Sequence, residues 1–107
     1  MKLKEDVDYK QILISVSEEL QDTKDYIFEN TVVTGSEQNN DLKLITTVFL
    51  DEYLFTLTAK YDIDEFRKTV KRDLSIEYTN GVDYNLSEEQ LNTLQDILVY
   101  VKKLMEV

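Results

Sequence analysis

Residues 42–60, Leu-Lys-Leu-Ile-Thr-Thr-Val-Phe-Leu-Asp-Glu-Tyr-Leu-Phe-Thr-Leu-Thr-Ala-Lys, constrain the fold more than any other stretch. At a helical period their apolar side chains surround the axis and mark no face. At a strand period they separate. With Asp51-Glu52 as a tight turn, Leu50 faces Tyr53. Leu42, Leu44, Thr46, Val48 and Leu50 then share one face with Tyr53, Phe55, Leu57 and Ala59. Lys43, Ile45, Thr47, Phe49, Leu54, Thr56, Thr58 and Lys60 take the other. A hairpin with one apolar and one mixed face follows. Asp-Glu is a mediocre pair for a turn that prefers positive φ. A buried helix over the same residues is the rival reading.

The other segments are read around this hairpin. Tyr9, Ile12, Leu13, Val16, Leu20, Thr23 and Ile27 recur at three- and four-residue spacing, which predicts a helix over residues 6–29 capped by Asp6 or Asp8. Ile63, Phe66, Val70 and Leu74 predict a short helix over 63–73, with acids at its start and Arg67, Lys68, Lys71 and Arg72 towards its end. Leu74, Ile76 and Tyr78 alternate before Thr79-Asn80-Gly81, as do Val82, Tyr84 and Leu86 after it. This predicts a second hairpin with Gly81 in the left-handed position. Ser87 and Gln90 form a capping box, with Leu86 and Leu91 as staple, and open a last helix. Its apolar face is Leu91, Leu94, Ile97, Leu98, Val101, Leu104 and Met105. The expected fold is α+β, in the order helix–hairpin–helix–hairpin–helix, with helices packed on an antiparallel sheet. An all-α bundle is the alternative.

The 107 residues suffice for one domain, and 42% apolar residues supply its core. No proline, repeat or linker-like shift divides the chain. Residues 34–41, Thr-Gly-Ser-Glu-Gln-Asn-Asn-Asp, read as a loop. Without cysteine there are no disulfides or thiolate sites; without histidine the commonest general base and zinc ligand are missing. No phosphate-binding Gly-rich loop and no nucleophile motif occurs. Asp62-Ile63-Asp64-Glu65 resembles the opening of a calcium loop only faintly, lacking the glycine and the closing glutamate. The start, Met-Lys-Leu-Lys-Glu-Asp-Val-Asp, has no apolar run of a secretory signal. The chain is therefore expected to be cytoplasmic and not an enzyme, with no cofactor, no metal and no membrane contact.

A net charge of −10 disfavours nucleic acid as a direct partner and favours a basic protein. On the first predicted helix Glu18, Asp22, Asp25 and Glu29 fall at steps of four, three and four, opposite the apolar face. Such a stripe would span about 16 Å at a rise of roughly 1.5 Å per residue and could imitate a nucleic-acid strand before a cationic groove. Tyr26 stands on its margin as an expected anchor; Tyr100 is the other tyrosine off the predicted core faces. The expected role is an inhibitor that neutralises a nuclease, toxin or nucleic-acid-handling complex. Immunity, antitoxin, anti-restriction and anti-CRISPR proteins of phages and plasmids act in this way. The alternative is a self-assembling phage or mobile-element protein, a homo-oligomer joined through Arg67, Lys68, Lys71 and Arg72.

Overall fold

The computed structural model describes residues 2–4, 6–79 and 85–106. Along the chain these form α1 (Tyr9–Asp22), β1 (Ile27–Thr34), β2 (Lys43–Leu50), β3 (Tyr53–Asp64), β4 (Thr69–Tyr78) and α2 (Glu88–Leu104). The strands make one four-stranded antiparallel meander in the order β1-β2-β3-β4. The α+β class stands. The helix–hairpin–helix–hairpin–helix order does not, and neither does an all-α bundle.

The hairpin over 42–60 has the expected register: Leu50 pairs with Tyr53, Val48 with Phe55, Thr46 with Leu57 and Leu44 with Ala59. Asp51 meets the turn's demand at φ 53°; a short polar side chain tolerates the left-handed region better than most.

Where the short helix was expected, β3 runs on to Asp64, turns through residues 65–68 and returns as β4. The helical spacing of Ile63, Phe66 and Val70 is coincidental. Ile63 and Val70 are cross-strand partners facing the core, while Phe66 is fully exposed at the turn. The Asp64 carboxylate accepts hydrogen bonds from the backbone N–H groups of Phe66 (3.1 Å) and Arg67 (3.0 Å). It organises a turn, as a short acidic side chain readily does. Leu74, Ile76 and Tyr78 are indeed strand residues, but they pair with Ala59, Leu57 and Phe55 of β3. The expected loop and return strand at Asn80, Gly81, Val82 and Tyr84 lie outside the described residues, and Asn85 and Leu86 belong to no strand.

The first helix is shorter than expected. Asp8 caps it, accepting from Gln11 N–H (3.1 Å), and Thr23 ends it in an extended conformation. The β-branched and aromatic run that follows, Ile27, Phe28, Thr31, Val32, Val33 and Thr34, suits a pleated surface and forms β1. A bulge between Glu29 and Val32, with Asn30 at φ 55°, shifts its register. Thr46, buried under the bulge, donates to the Glu29 carbonyl (3.1 Å) and shares a hydrogen bond with the Thr31 hydroxyl (2.8 Å).

Both helices cover one face of the sheet. Tyr9, Leu13, Val16 and Leu20 of α1 and Leu94, Ile97 and Val101 of α2 close over Leu44, Val48, Phe55, Leu57, Ala59 and Tyr61. Each such buried aliphatic or aromatic side chain contributes about 1.5–3 kcal/mol relative to exposure. The capping box holds α2 as its sequence indicates: Gln90 N–H donates to Ser87 Oγ (3.1 Å) and Ser87 N–H to Gln90 Oε1 (2.9 Å). Gln90 Nε2 also donates to Asp51 at the β2–β3 turn (2.8 Å). Ser87→Ala is expected to cost about 1 kcal/mol. That corresponds to a fall of roughly 4–8 °C in melting temperature for a domain of this size. An unchanged melt would show that the cap does not hold α2.

Candidate functional site

The acids singled out in the sequence do not form one helical row. Glu18 and Asp22 lie on α1, Asp25 lies in the bend after it, and Glu29 sits on β1. The row breaks because α1 ends at Asp22. All four are nevertheless exposed, as is Glu19. The stretch from Glu18 to Glu29 holds these five acids against one cation, Lys24. Among the described residues, the ion pairs are Lys60–Asp73 (3.9 Å), Arg67–Asp64 (3.8 Å) and Arg72–Glu106 (3.5 Å). The acids around α1 and β1 enter none of them.

Tyr26 is not a free anchor. It is half-buried, with its ring 6.2 Å from Phe28 and 5.6 Å from Tyr100. The two tyrosines expected to stand apart from the core meet at its rim and help hold α2 near the start of β1. The exposed apolar groups beside the acids are instead Ile27 (59% exposed) and Val32 (51%). Both lie on the sheet face that the helices leave open. Ile27 pairs with Phe49, which pairs with Leu54; Val32 pairs with Ile45. These residues and Thr47 form an apolar strip beginning at the β1 edge, with Glu29 and Asp25 on its margin. The sequence reading placed Ile27 on a helical core face, because its spacing from Thr23 happens to be four. The signal that locates it correctly is the β-branched run after Glu29.

The basic residues are divided by strand parity. Arg67 and Lys68 are on the β3–β4 turn, Lys68 at φ 56°. Lys71 is exposed on the open face. Arg72 points to the helix face, where its guanidinium donates to the Lys102 carbonyl (3.1 Å) and meets the Glu106 carboxylate. Arg72 thus complements a helix C-terminus, but that of α2. The chain start joins the same end: Leu3 N–H donates to the Lys68 carbonyl (2.9 Å) and Lys2 bridges to Thr69. Lys2 and Lys4 therefore lie near Arg67 and Lys68, a juxtaposition that sequence spacing does not show.

The acids at 62–65 serve the backbone. Asp64 organises the turn, and Asp62 accepts from Asn40 Nδ2 (3.1 Å) while Asn40 Oδ1 accepts from Ile63 N–H (2.8 Å). Among the described residues no group of three or more acidic side chains is placed to hold a metal ion. No helix among them is long and apolar enough to cross a membrane. Comparison with protein-family models, with curated proteins and with solved structures finds no match. The functional reading therefore rests on this chain's own surface, where an acidic margin borders an apolar strip.

Proposed function

We propose that the chain is a non-enzymatic binder that neutralises a basic protein, of the nuclease, toxin or nucleic-acid-handling kind. Immunity, antitoxin, anti-restriction and anti-CRISPR inhibitors are the matching roles. The observation that carries the reading is the exposed set Glu18, Glu19, Asp22, Asp25 and Glu29, free of ion pairs among the described residues, of which Asp25 and Glu29 lie on the margin of the strip of Ile27 and Val32. Interfaces commonly combine an apolar centre with a charged rim, the charges steering encounter and the apolar groups resisting dissociation. The acids follow a helix, a bend and a strand. Their sign and exposure support the reading, rather than an imitation of evenly spaced phosphates.

The test begins with capture of a partner from the native host, followed by titration of the purified partner. Asp22→Lys with Asp25→Lys is expected to leave folding within about 0.5 kcal/mol, since both positions are exposed. The same pair should weaken binding about tenfold or more, roughly 1.4 kcal/mol. Wild-type affinity should fall as salt rises, because exposed charges are screened beyond about 8–10 Å near physiological ionic strength. Equal affinity of mutant and wild type, with no salt dependence, would place the binding surface elsewhere.

A further inference from the structure

The outer edge of β4 carries a pattern that matches itself. Thr79 N–H donates to the Leu54 carbonyl of β3 (3.0 Å), and the Lys68 carbonyl accepts from Leu3 on the opposite side. Backbone groups alternate sides along a strand, so odd-numbered residues of β4 bond to β3 and even-numbered ones aim outward. Among the described residues no strand meets the outward groups of Arg72, Leu74 and Ile76. An open row of this kind is a template for a further strand.

Beside this row, α2 leaves a groove of about 340 Å³ lined by Arg72, Leu74, Gln95, Leu98, Val99 and Lys102, together with Asp73. Leu91, Leu98 and Val99 follow Gln95 and Lys102 along one side of α2, apart from the core stripe of Leu94, Ile97 and Val101. Leu91 is 52% exposed and Val99 54%, and Leu98 is half-buried. An incoming strand would put its alternate side chains into this groove.

The identity of that strand follows from charge register. Two copies of β4 paired antiparallel about Leu74 place Lys71 opposite Glu77 of the other copy, twice, with Arg72 opposite Ile76 and Asp73 opposite Ser75. Centring on Arg72 sets Lys71 against Asp73, which already pairs with Lys60 of its own chain, and sets the Arg72 cation against itself at the axis. Centring on Asp73 sets that acid against itself, and centring on Ser75 sets Asp73 against Glu77. Centring on Ile76 creates no opposite-charge pair. Opposite charges directly across a strand pair stabilise it and like charges destabilise it. Lys71 and Glu77 are both exposed on the open face.

We propose that the chain forms a two-fold dimer in which the β4 edges of two copies pair antiparallel about Leu74, joining two four-stranded sheets into one. The axis runs perpendicular to the sheet, so the helices of both copies lie on the same side. Leu74 and Ile76 of each copy enter the other's groove beside Leu98 and Val99. The pairing is closed, because each copy uses the same edge. It also keeps the β1 sides, with their acids, outermost.

Light scattering coupled to size exclusion tests the mass against the 12.6 kDa chain. A dimer is expected, with the amides of Leu74 and Ile76 exchanging more slowly as concentration rises. Lys71→Glu and Glu77→Lys should each weaken dimerisation about tenfold, and the double reversal should return it to within about threefold of wild type. Circular dichroism of each variant establishes that it is folded. A monomer at about 1 mM chain, a concentration at which only very weak association escapes notice, overturns the proposal. So does a dimer indifferent to both single reversals, or one that the double reversal fails to restore.

Discussion

Tyr61→Ala is expected to destabilise the domain by about 3–5 kcal/mol, the range for removing a large aromatic ring from a core. Tyr61 is 1% exposed and ties the sheet to both helices. Its ring meets Tyr9 of α1 edge-on at 4.9 Å, and its hydroxyl donates to the Met105 carbonyl at the end of α2 (2.6 Å). Tyr61→Phe separates these roles. It keeps the ring, loses the hydrogen bond, and should cost about 1–2 kcal/mol. Urea denaturation of the two variants measures both terms; equal losses would mean that the hydroxyl, not the ring, holds the clasp.

The same residue gives a pH signature. Burial pushes the Tyr61 phenol above its ordinary value near 10, against the opposing pull of Arg72 and with a smaller upward push from Tyr9. The folded protein therefore keeps this proton after the unfolded chain has lost it. Its effect on stability is absent as a penalty below about pH 10 and appears above it, where stability falls by up to about 1.4 kcal/mol per pH unit. In Tyr61→Phe this part of the alkaline slope should vanish. An identical slope in wild type and variant would show that Tyr61 ionises freely in the fold.

The second large effect is expected at Gly35. It follows β1 at φ +87°, a conformation that costs any side chain strain, and a Cβ there would collide with the Asp41 backbone carbonyl. The loop it opens is tightly knit. Ser36 N–H donates to Asp41 Oδ1 (2.9 Å), Tyr9 N–H to Glu37 Oε1 (2.6 Å), and Asn40 reaches both Asp62 and Ile63. Gly35→Ala cannot be absorbed by a rotamer change, because the obstacle is backbone. A loss of about 2–4 kcal/mol is expected, combining strain with displacement of Asp41. Differential scanning calorimetry reads it against Gln38→Ala, an exposed site in the same loop that should scarcely move. Equal midpoints for the two variants would mean that Gly35 has room for a side chain.

The elements readable in advance were those with strict local chemistry. Alternation through 42–60 left one register in which Leu50 could face Tyr53, and Ser87 with Gln90 marked the start of α2. The errors share a cause. The chain has two glycines and no proline, and besides Gly35 it takes positive φ at Asn30 in the β1 bulge and at Asn40, Asp51 and Lys68 in its turns. Nothing at Lys68 announces a turn, so Ile63, Phe66 and Val70 passed for a helix face. Nothing at Thr23 announces a helix end, so Ile27 was drawn into α1. For the candidate site, solvent exposure of the acids was legible because charged residues seldom bury without partners. Their arrangement was not, because it depends on where α1 stops. The pairing of Tyr26 with Tyr100 joins positions far apart in sequence, and only the tertiary structure brings them together.

The meander also orders events in time. Each strand pairs with the next one along the chain, and the β2–β3 and β3–β4 connections are the short turns at 51–52 and 65–68. Loops of that size close in well under a microsecond, and hairpins form in about 1–10 μs. The clasp of Tyr61 on Met105 spans 44 residues and cannot close until α2 has docked. Sheet-first assembly is therefore the favoured route, with the helices sealing a surface already laid down. Until they do, the row Phe55, Leu57, Ala59 and Tyr61 faces water, and that interval is when the chain is most exposed to aggregation.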